Sequence, residues 1–316
     1  MLELAAIPLL ALAADRLLGE PPARWHPVVW MGRYLGWAGA RLAPRAGAPR
    51  GLSDRRVFWG AALTWCAAAA AVFALAWLLQ RWLLAQPAWL ALPALALGLK
   101  PLLAWALLRS EVQAVESALA VSTDAGRERL ARLVSRDVRA LDASAVRESA
   151  IESLAENLND SVVAPLLWFA LLGLPGAALY RFANTADAMW GYRGERGGHD
   201  WTWAGKWAAR ADDLLSWLPA RITALLLALA ALRWPRMLAR EAARTPSPNS
   251  GWPMAAAALL LGVRLGKPGV YVLNAAGAVP RAGDTRRAIV LAGRAAWLAG
   301  LACTAVLAAV DGWAAA

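Results

Sequence analysis

Four carboxylates recur at every fourth position in residues 147–160: Glu148, Glu152, Glu156 and Asp160. Successive members of such a series differ by only about 40° around an α-helix, so they line one side while the apolar residues between them face the other. Like charges at this spacing repel each other, and a protein tolerates them only where cations meet them. This series, the acidic ladder, therefore predicts a functional helix whose partners are arginines or a divalent ion.

Two later segments carry further oxygen ligands of the kind that Mg²⁺ prefers. Asn184 and Asp187 stand three residues apart and share one helix face. The paired acids 212–213 adjoin an apolar segment, and Asp213 is the member that we expect to reach a metal. Helix capping by Asn184 and an ordinary solvated helix start at the paired acids are the alternative interpretations. The predicted metal ligands are Glu156, Asp160, Asp187 and Asp213.

Basic and amide side chains near these acids predict phosphate binding. Arg136 precedes the acidic ladder, and Arg221 follows the paired acids by eight residues. A guanidinium can grip a phosphate through two parallel hydrogen bonds, although Arg136 could instead only neutralise the ladder. Asn249 lies in the turn 247–253, which either cradles an anion or simply connects two helices. His26 precedes a proline and could position a substrate.

The composition indicates the fold class of the protein that holds these residues. Of the 316 residues 59% are hydrophobic and 17% are charged, and the mean hydropathy is +0.43, which is unlike a soluble domain. Alternating patterns rich in β-branched residues, which predict strands, are absent. The sequence thus predicts an all-α, polytopic integral membrane protein with a single domain over residues 1–316. Four stretches are long enough to cross a bilayer and carry at most one charge: 57–79, 88–108, 161–180 and 288–310.

The order of these stretches predicts a topology. After a first apolar helix and a basic loop, residues 57–108 predict a hydrophobic hairpin that turns near Gln86. A charged helical segment follows at about 110–160 and is expected to face solvent in the cytoplasm. The apolar run 161–180 is interrupted at 173–176 by a Gly-Leu-Pro-Gly sequence. It is either a re-entrant hairpin, whose non-helical backbone must be covered by protein or line a cavity, or one complete span.

The net charge of +11 fits a membrane protein better than a nucleic-acid-binding one. The basic residues lie between the apolar segments, as the positive-inside rule expects. Residues 24–56 carry seven arginines and one acid, which places this segment in the cytoplasm. We predict a multi-pass protein of the cytoplasmic (inner) membrane whose site faces the cytoplasm, with no nucleic-acid partner.

The order of the polar motifs resembles the CobD/CbiB family, the adenosylcobinamide-phosphate synthases of cobalamin biosynthesis. Two positions depart from the usual family pattern: Glu20 stands where Asp is common, and Lys267 stands where a second glycine is usual. The resemblance covers nearly the whole chain, in these segments: Asp15–Pro27, Ser135–Asp137, Glu152–Pro165, Tyr180–Tyr192, Ala209–Arg221 and Ser247–Gly266.

The resemblance implies an ATP-dependent carbon–nitrogen ligase. Family members join adenosylcobyric acid to (R)-1-aminopropan-2-yl phosphate, and some are thought to use ethanolamine phosphate. The expected cofactors are ATP and Mg²⁺. The expected partners are the corrinoid, the amino-alcohol phosphate and the lipid bilayer, with other enzymes of the cobalamin pathway as further candidates.

Amide formation needs an activated carboxylate, and the protein's share in phosphoryl transfer is positioning and charge neutralisation. We assign catalytic roles to Glu152, Glu156 and Arg136, with Glu152 as general base for the ammonium or as support for the metal. The expected substrate- or phosphate-binding residues are Arg136, Asn157, Asn184, Arg221, Asn249 and His26. Six tryptophans could form an apolar wall for the corrin or anchor the chain at the membrane interface: Trp25, Trp30, Trp168, Trp190, Trp201 and Trp203.

Two other functions compete with the ligase. A magnesium-dependent membrane prenyl- or alcohol-phosphotransferase would also place acidic helix motifs at the membrane face, but a second aspartate-rich motif to match Asn184 and Asp187 is missing. The other rival is a non-enzymatic corrin transporter or assembly partner. Charges within the spans would favour transport, whereas here the charges cluster between them.

Overall fold

The chain folds almost entirely into helices. The computed structural model describes residues 4–47 and 53–315, the last five of these as helical backbone only, so residues 48–52 of the arginine-rich stretch lie outside the described part. The helices are α1 (Ile7–Leu18), α2 (Pro27–Leu42), α3 (Asp54–Leu84), α4 (Ala88–Leu99), α5 (Trp105–Leu119), α6 (Thr123–Leu130), α7 (Ala143–Leu158), α8 (Ala164–Trp190), α9 (Lys206–Leu215), α10 (Trp217–Ala230), α11 (Leu238–Ala242), α12 (Gly251–Leu261) and α13 (Ala282–Ala315).

The predicted all-α, polytopic membrane class is confirmed. Besides four long helical stretches, the helices α9 and α10 together form a candidate span, and they meet at Ser216 with a bend of 45°. Long apolar helices satisfy their own backbone hydrogen bonds, which is what a bilayer requires of a spanning segment. By length and composition alone, four helical stretches could cross a membrane, although the third reverses at Gly173: Asp54–Leu84, Ala88–Leu119, Ala143–Trp190 and Ala282–Val310.

Three local predictions need correction. The basic loop after α1 contains a helix, α2, instead of irregular chain. The predicted hairpin 57–108 forms, but its second arm α4 ends at Leu99, because Lys100 begins a short 3₁₀ turn that includes a proline. Strands also occur, as two short antiparallel hairpins closed by glycine-containing turns that favour tight reversal: β1 (Glu195–Arg196) with β2 (His199–Asp200), and β3 (Leu265–Lys267) with β4 (Tyr271–Leu273).

The helix that carries most of the acidic ladder, α7, lies inside the helical body. Asp142 caps its first turn, accepting a hydrogen bond of 2.7 Å from the amide of Ala145, and this bond holds the pKa of the Asp142 carboxyl below its usual value. Much of α7 is buried against α5, α12 and α13, including Glu148 and Glu152. The charged segment 110–160 is therefore solvent-facing at α6 but not along α7.

The apolar run after α7 is a hairpin and not one complete span. A π-helical turn, Asn159–Val163, joins α7 to α8, and α8 is interrupted at Gly173, where φ is +71° and ψ is −158°. The Tyr180 hydroxyl lies 3.4 Å from Asp160 Oδ1, and Arg181 Nη1 lies 3.0 Å from the Asp160 carbonyl oxygen. Twenty residues of straight helix would separate these groups by about 30 Å. The chain therefore reverses at Gly173 and returns Tyr180 to the level of Asp160.

The turn at Gly173 is held by α3, and this predicts its tolerance to substitution. Gln80 Oε1 accepts a 2.7 Å hydrogen bond from the amide of Leu174, and a Cβ on Gly173 would collide with the Gln80 side chain. The backbone conformation is one that essentially only glycine adopts, at a cost of about 1–3 kcal/mol for other residues. Gly173→Ala should therefore lower the Tm of the detergent-solubilised protein by several degrees.

Gly283→Ala provides the matched control. Gly283 is helical and exposed, and a Cβ there meets nothing within 4 Å. The Tm of this variant should stay unchanged or rise slightly, because alanine is the better helix former. Equal melting temperatures for Gly173→Ala and the wild type would refute the constraint at the turn.

Candidate functional site

The acidic ladder meets arginines, as its spacing predicts. Glu148 Oε1 lies 2.9 Å from Arg264 Nη2, and Glu152 Oε2 lies 2.8 Å from Arg136 Nη2. Both glutamates are buried, Glu152 with 2% of its surface exposed. A buried carboxylate without a cation would be strongly destabilising. Arg264 has no part in the sequence-based prediction, since it lies more than 100 residues beyond the ladder.

A pocket of about 290 Å³ opens beside the Arg136–Glu152 pair, and we call it the arginine pocket. One atom of each partner, Arg136 Nη1 and Glu152 Oε1, is buried and finds no hydrogen-bond partner among the described residues. Leaving such an atom unpaired costs about 1–3 kcal/mol, more when it is charged. The pocket thus presents an unused donor on Arg136 and a Glu152 carboxylate whose nearest donor besides Arg136 is the Tyr271 hydroxyl. Its polar lining comprises Ser135, Arg136, Glu152, Ser153, Glu156, Asn157, Lys267 and Tyr271.

The β3–β4 hairpin closes one side of the arginine pocket. Lys267 and Tyr271 belong to its two strands, and both also line a neighbouring pocket of about 470 Å³ that contains the Glu148–Arg264 pair. Burial raises the pKa of the Tyr271 hydroxyl, and the nearby charge of Glu152 raises it further. The phenol therefore remains a hydrogen-bond donor at neutral pH. Asn157 lines the pocket with its amide nitrogen 2.9 Å from the Ser153 carbonyl oxygen.

One helical turn further along, Asp160, Asn184, Asp187 and Asp212 form a second group, the aspartate cluster. Asn184 Nδ2 lies 3.4 Å from Asp212 Oδ1, and the carboxylates of Asp160, Asp187 and Asp212 are close enough to interact electrostatically. Asp160 also interacts with Glu156, which connects this cluster to the arginine pocket. Residues from α8 and α9 therefore converge on the π-helical turn.

Asp212, and not Asp213, is the member of the paired acids that joins Asn184. The signal was present in the sequence: Ala208, Ala211 and Leu215 recur at helical spacing and mark the packed face of α9, on which Asp212 also lies. Asp213 still faces Asp187 electrostatically. The predicted metal ligand Asp213 is thus placed at the edge of the cluster.

Arg221 and Asn249 form a bridge between segments of the protein. Arg221 Nη1 donates a 2.7 Å hydrogen bond to Asn249 Oδ1, and Asn249 Nδ2 donates another of 2.7 Å to the carbonyl oxygen of Asp213. The Arg221 guanidinium also stacks near the rings of Trp217 and Trp252. Both amide ends of Asn249 are already used, so the two residues tie the turn 247–253 to α9. A phosphate contact from the Asn249 amide would require breaking this bridge, whereas Arg221 has five N–H donors and keeps donors that the bridge does not use.

The predicted carboxylates do not form one coordination sphere. Across residues 4–47 and 53–310, whose side chains the structure describes, no three His, Cys, Asp or Glu side chains are arranged to hold a single metal ion. Mg²⁺, however, commonly keeps several waters and takes one or two carboxylates together with substrate phosphate oxygens. The aspartate cluster supplies hard oxygen donors of that kind, with Asp160 and Asp212 on facing elements. A magnesium ion at this place stays a prediction.

A third group of polar side chains, the buried charge network, consists of Asp15, Glu20, His26 and Lys100. Lys100 Nζ lies 3.3 Å from Glu20 Oε2 and 3.7 Å from Asp15 Oδ1, and His26 Nε2 lies 3.1 Å from Glu20 Oε2. Asp15 is fully buried, and burial raises the pKa of its carboxyl, although the amide of Ala106 and the charge of Lys100 oppose this. Of these four residues, only His26 was among the predicted site residues. Lys100 is the one charged residue in the apolar run 88–108, and a charge in such a run indicates a polar partner nearby.

Arg181 lies between the buried charge network and the aspartate cluster. Its Nη1 contacts the Asp160 carbonyl oxygen at 3.0 Å, Ser161 Oγ at 3.2 Å and Asn184 Oδ1 at 3.4 Å. Its guanidinium also interacts electrostatically with Glu20. The three groups therefore make one continuous polar region inside the helical body, with Arg181 at its centre.

The tryptophans separate into different environments. Trp25 and Trp30 are exposed and line an apolar groove of about 740 Å³ between α2, α3, α4 and α8. Trp190 is 1% exposed, and its Nε1 donates a hydrogen bond of 3.0 Å to the Leu35 carbonyl oxygen. Trp190 is thus a core residue, neither an interfacial anchor nor part of an apolar wall. Trp25 and Trp30 lie where they could form an apolar wall for the corrin or anchor the chain at the membrane interface.

Comparison with known proteins gives a consistent family assignment. The family model described as CobD/Cbib protein matches residues 8–298. A probable cobalamin biosynthesis protein CobD of Methanothermobacter thermautotrophicus is 42% identical over 273 residues, 84% of this chain and 85% of that protein. The cobalamin biosynthesis protein CobD of Chromobacterium violaceum is 42% identical over 306 residues, 92% of each chain. A probable CobD of Pyrococcus abyssi is 41% identical over 284 residues, 89% of this chain and 88% of that protein.

No solved structure matches the chain. The family model covers the acidic ladder, the aspartate cluster and the buried charge network, all of which lie within residues 8–298. With a family model matching over most of the chain and relatives above 40% identity, the chain belongs to the CobD/CbiB protein family.

Proposed function

We propose that this protein is an adenosylcobinamide-phosphate synthase of cobalamin biosynthesis. In this reaction a carboxylate of adenosylcobyric acid is joined to (R)-1-aminopropan-2-yl phosphate or ethanolamine phosphate, and ATP is converted to ADP and phosphate. The names of the relatives support the pathway. The observation that carries the reaction type is the arginine pocket, where a buried ion pair leaves Arg136 Nη1 and Glu152 Oε1 unpaired beside further carboxylates.

The arginine pocket is suited to holding phosphate groups. Arg136 offers an unpaired donor, and Lys267 adds a second positive charge from β3. Guanidinium and ammonium groups neutralise the charge that phosphoryl transfer spreads over phosphate oxygens. When bound, ATP and Mg²⁺ would supply the phosphoryl group that gives the corrinoid carboxylate a good leaving group. The aspartate cluster would hold the metal through Asp160 and Asp212, with Asp187 beside them.

The two glutamates of the pocket would have different tasks. Glu152 is buried, and its Oε2 is already engaged by Arg136. It would position the guanidinium. Glu156 lines the same pocket, and within the described chain its carboxylate makes no hydrogen bond to protein. Glu156 is therefore the better placed group to accept the proton that the substrate ammonium must lose before its nitrogen attacks.

The proposed location is the cytoplasmic (inner) membrane, with the polar region facing the cytoplasm where ATP is available. The seven arginines of residues 24–56 support this orientation under the positive-inside rule. A corrinoid is large and amphipathic, and the groove lined by Trp25 and Trp30 offers it an apolar wall next to the buried charge network. The lipid bilayer is the remaining partner.

The first prediction concerns the reaction itself. Purified protein in detergent, supplied with ATP, Mg²⁺, adenosylcobyric acid and either amino-alcohol phosphate, should release ADP and phosphate only when both acceptor substrates are present. The corrinoid product should gain the mass of the amino-alcohol phosphate less one water. Transfer of a prenyl or alcohol group from a diphosphate, with no amide formed, would support the phosphotransferase instead. Corrinoid binding without turnover would support the transporter or assembly partner.

The second prediction concerns Glu156. Glu156→Gln removes the proposed proton acceptor at nearly constant shape, so turnover should fall by at least about 100-fold, the usual contribution of general base catalysis. The Tm should change little, because the Glu156 side chain makes no hydrogen bond within the described chain that the amide would lose. Glu128→Gln, on the exposed side of α6, is the matched control and should turn over normally. A Glu156→Gln enzyme as active as this control would remove Glu156 from the catalytic set.

The third prediction concerns Arg136. A lysine at this position keeps the charge but cannot reproduce two parallel hydrogen bonds, so Arg136→Lys should raise the KM for ATP or for the phosphate substrate about 10- to 100-fold, the equivalent of one charged hydrogen bond. Arg139→Lys is the matched control, because Arg139 is exposed and pairs only with the neighbouring Asp137. Identical KM values for both variants would show that Arg136 does not touch a substrate.

A further inference from the structure

We propose that the arginine pocket is the binding site of the amino-alcohol phosphate, with the phosphate at Arg136 and Lys267 and the ammonium group at Glu156. This inference rests on the proposed function and deepens it, since it names which substrate of that reaction occupies the pocket. The proposed function itself requires only that a phosphate group, from the nucleotide or from the amino alcohol, meets Arg136. The free charges of the pocket, its size and its position along α7 distinguish these two occupants.

The arginine pocket has two cationic groups that a ligand can engage. Arg136 Nη2 is held by Glu152 Oε2 at 2.8 Å, whereas Arg136 Nη1 has no hydrogen-bond partner among the described residues. Lys267 is exposed on β3, at the rim of the pocket, and forms no salt bridge with any described residue. Guanidinium and ammonium groups are the usual protein partners of a phosphate. This end of the pocket therefore suits an anion.

Glu156 is the carboxylate of the pocket that stays available to a ligand. Glu152 is not available, because Arg136 engages its Oε2 and the Tyr271 hydroxyl is its next donor. Glu156 lines the pocket with a partly exposed side chain and accepts no hydrogen bond from the part of the chain that the structure describes. An ammonium group has three N–H donors and no acceptor. It therefore matches the free carboxylate of Glu156.

The arrangement of these charges favours a zwitterion over a nucleotide. Arg136 and Lys267 are both close enough to Glu156 to interact electrostatically with its carboxylate, so the anion site and the cation site lie within one cavity. A small molecule with a phosphate at one end and an ammonium group at the other satisfies both sites. A triphosphate has no cation of its own for Glu156, and its negative charge would be repelled by the carboxylates of Glu152 and Glu156.

The dimensions of the pocket agree with the smaller substrate. Its volume is about 290 Å³. Pockets for drug-sized ligands measure roughly 300–1,000 Å³, so this one suits a smaller molecule. Glu152, which holds Arg136, and Glu156 are one helical turn apart, about 6 Å along α7. The nitrogen and phosphorus of an extended amino-alcohol phosphate are separated by about 5 Å at ordinary bond lengths, so the molecule can reach both sites.

This placement brings the reacting nitrogen toward the predicted magnesium site. Asp160 follows Glu156 by one further turn, interacts with it electrostatically and belongs to the aspartate cluster. The phosphate is then held at Arg136, the aspartate cluster lies in the opposite direction along the chain, and the nitrogen lies between them. The ammonium group is thereby in contact with Glu156, the residue that accepts its proton in the proposed reaction.

The amine end is tested by isothermal titration of the full chain in detergent, without ATP. Wild type should bind 1-aminopropan-2-yl phosphate at least about tenfold more tightly than propan-2-yl phosphate, which lacks the amine, the equivalent of one charged hydrogen bond. Glu156→Gln should bind the two phosphates with equal affinity, because the neutral amide offers no charge to the ammonium group. Glu128→Gln, on the exposed side of α6, should keep the wild-type preference.

The phosphate end is tested with two further variants. Arg136→Lys should weaken the binding of both phosphates about 10- to 100-fold and keep the ratio between them. Its affinity for the magnesium complex of a non-hydrolysable ATP analogue should stay that of wild type. Lys267→Gln, at an exposed position, should weaken both phosphates about twofold to fivefold. Arg139→Lys should bind all three ligands like wild type.

Three results would overturn the inference. The first is equal binding of the two phosphates by wild type, and the second is an unchanged amine preference in Glu156→Gln. The third is an Arg136→Lys protein that loses affinity for the ATP analogue but not for the amino-alcohol phosphate, since the pocket would then belong to the nucleotide. If Arg136→Lys melts well below wild type, Lys267→Gln decides: weaker binding of the two phosphates alone supports the inference, and weaker binding of the ATP analogue alone opposes it.

The proposed function fails or stands separately. A protein whose amine preference depends on Glu156, but which forms no amide and releases no ADP, keeps the binding site and loses the proposed reaction. A protein that forms the amide, but whose amine preference does not depend on Glu156, keeps the reaction and loses the site.

Discussion

The structure depends on one constraint, the pairing of buried charges inside a helical membrane body. Glu148 and Glu152 meet Arg264 and Arg136, and Asp15 meets Lys100. Each pair joins segments that are distant in the chain, and removing one partner would leave an isolated charge in a medium that solvates it poorly. The apolar spans provide the bulk of the packing, but these pairs decide which polar faces are turned toward each other. The polar region is thereby built into the core instead of being placed on a surface loop.

Two irregularities in the helices give this region its shape. The π-helical turn at Asn159–Val163 shifts the register after α7, and the reversal at Gly173 brings Tyr180 and Arg181 back beside Asp160. Irregular backbone inside a membrane body is tolerated where protein covers it, and Gln80 of α3 covers this turn by accepting the amide of Leu174. Helix interruptions of this type commonly accompany functional sites, because they direct side chains that a regular helix would place elsewhere.

Buried polar atoms without a hydrogen-bond partner mark places that a polar ligand could satisfy, and they also occur outside the arginine pocket, on both partners of the Arg129–Glu111 pair. Structural pairs such as Arg147 with Glu116 use both ends of the guanidinium and both carboxylate oxygens. Arg136, Glu152, Arg181 and Glu20 each retain a buried atom without a hydrogen-bond partner in the described chain. Such atoms carry a standing energetic cost that a ligand of complementary charge relieves. An anionic phosphate beside Arg136 would satisfy the free donor of the arginine pocket, which agrees with the proposed phosphate-bearing substrates.

The sequence by itself determined the all-α membrane class, the α3–α4 hairpin, the shared face of the acidic ladder and its need for arginines, because these follow from local hydropathy and helical period. It left two alternatives for the run 161–180, a complete span or a hairpin. The contacts between Asp160 and residues 180–181 show that it is a hairpin. It also preferred Asp213 over Asp212, assigned Arg221 and Asn249 to substrate without indicating that they bond to each other, and did not include Asp15, Glu20 or Lys100 among the site residues. Helical period places a side chain on a face, but only the packing of segments far apart in the chain decides which faces meet and which polar atoms remain unpaired.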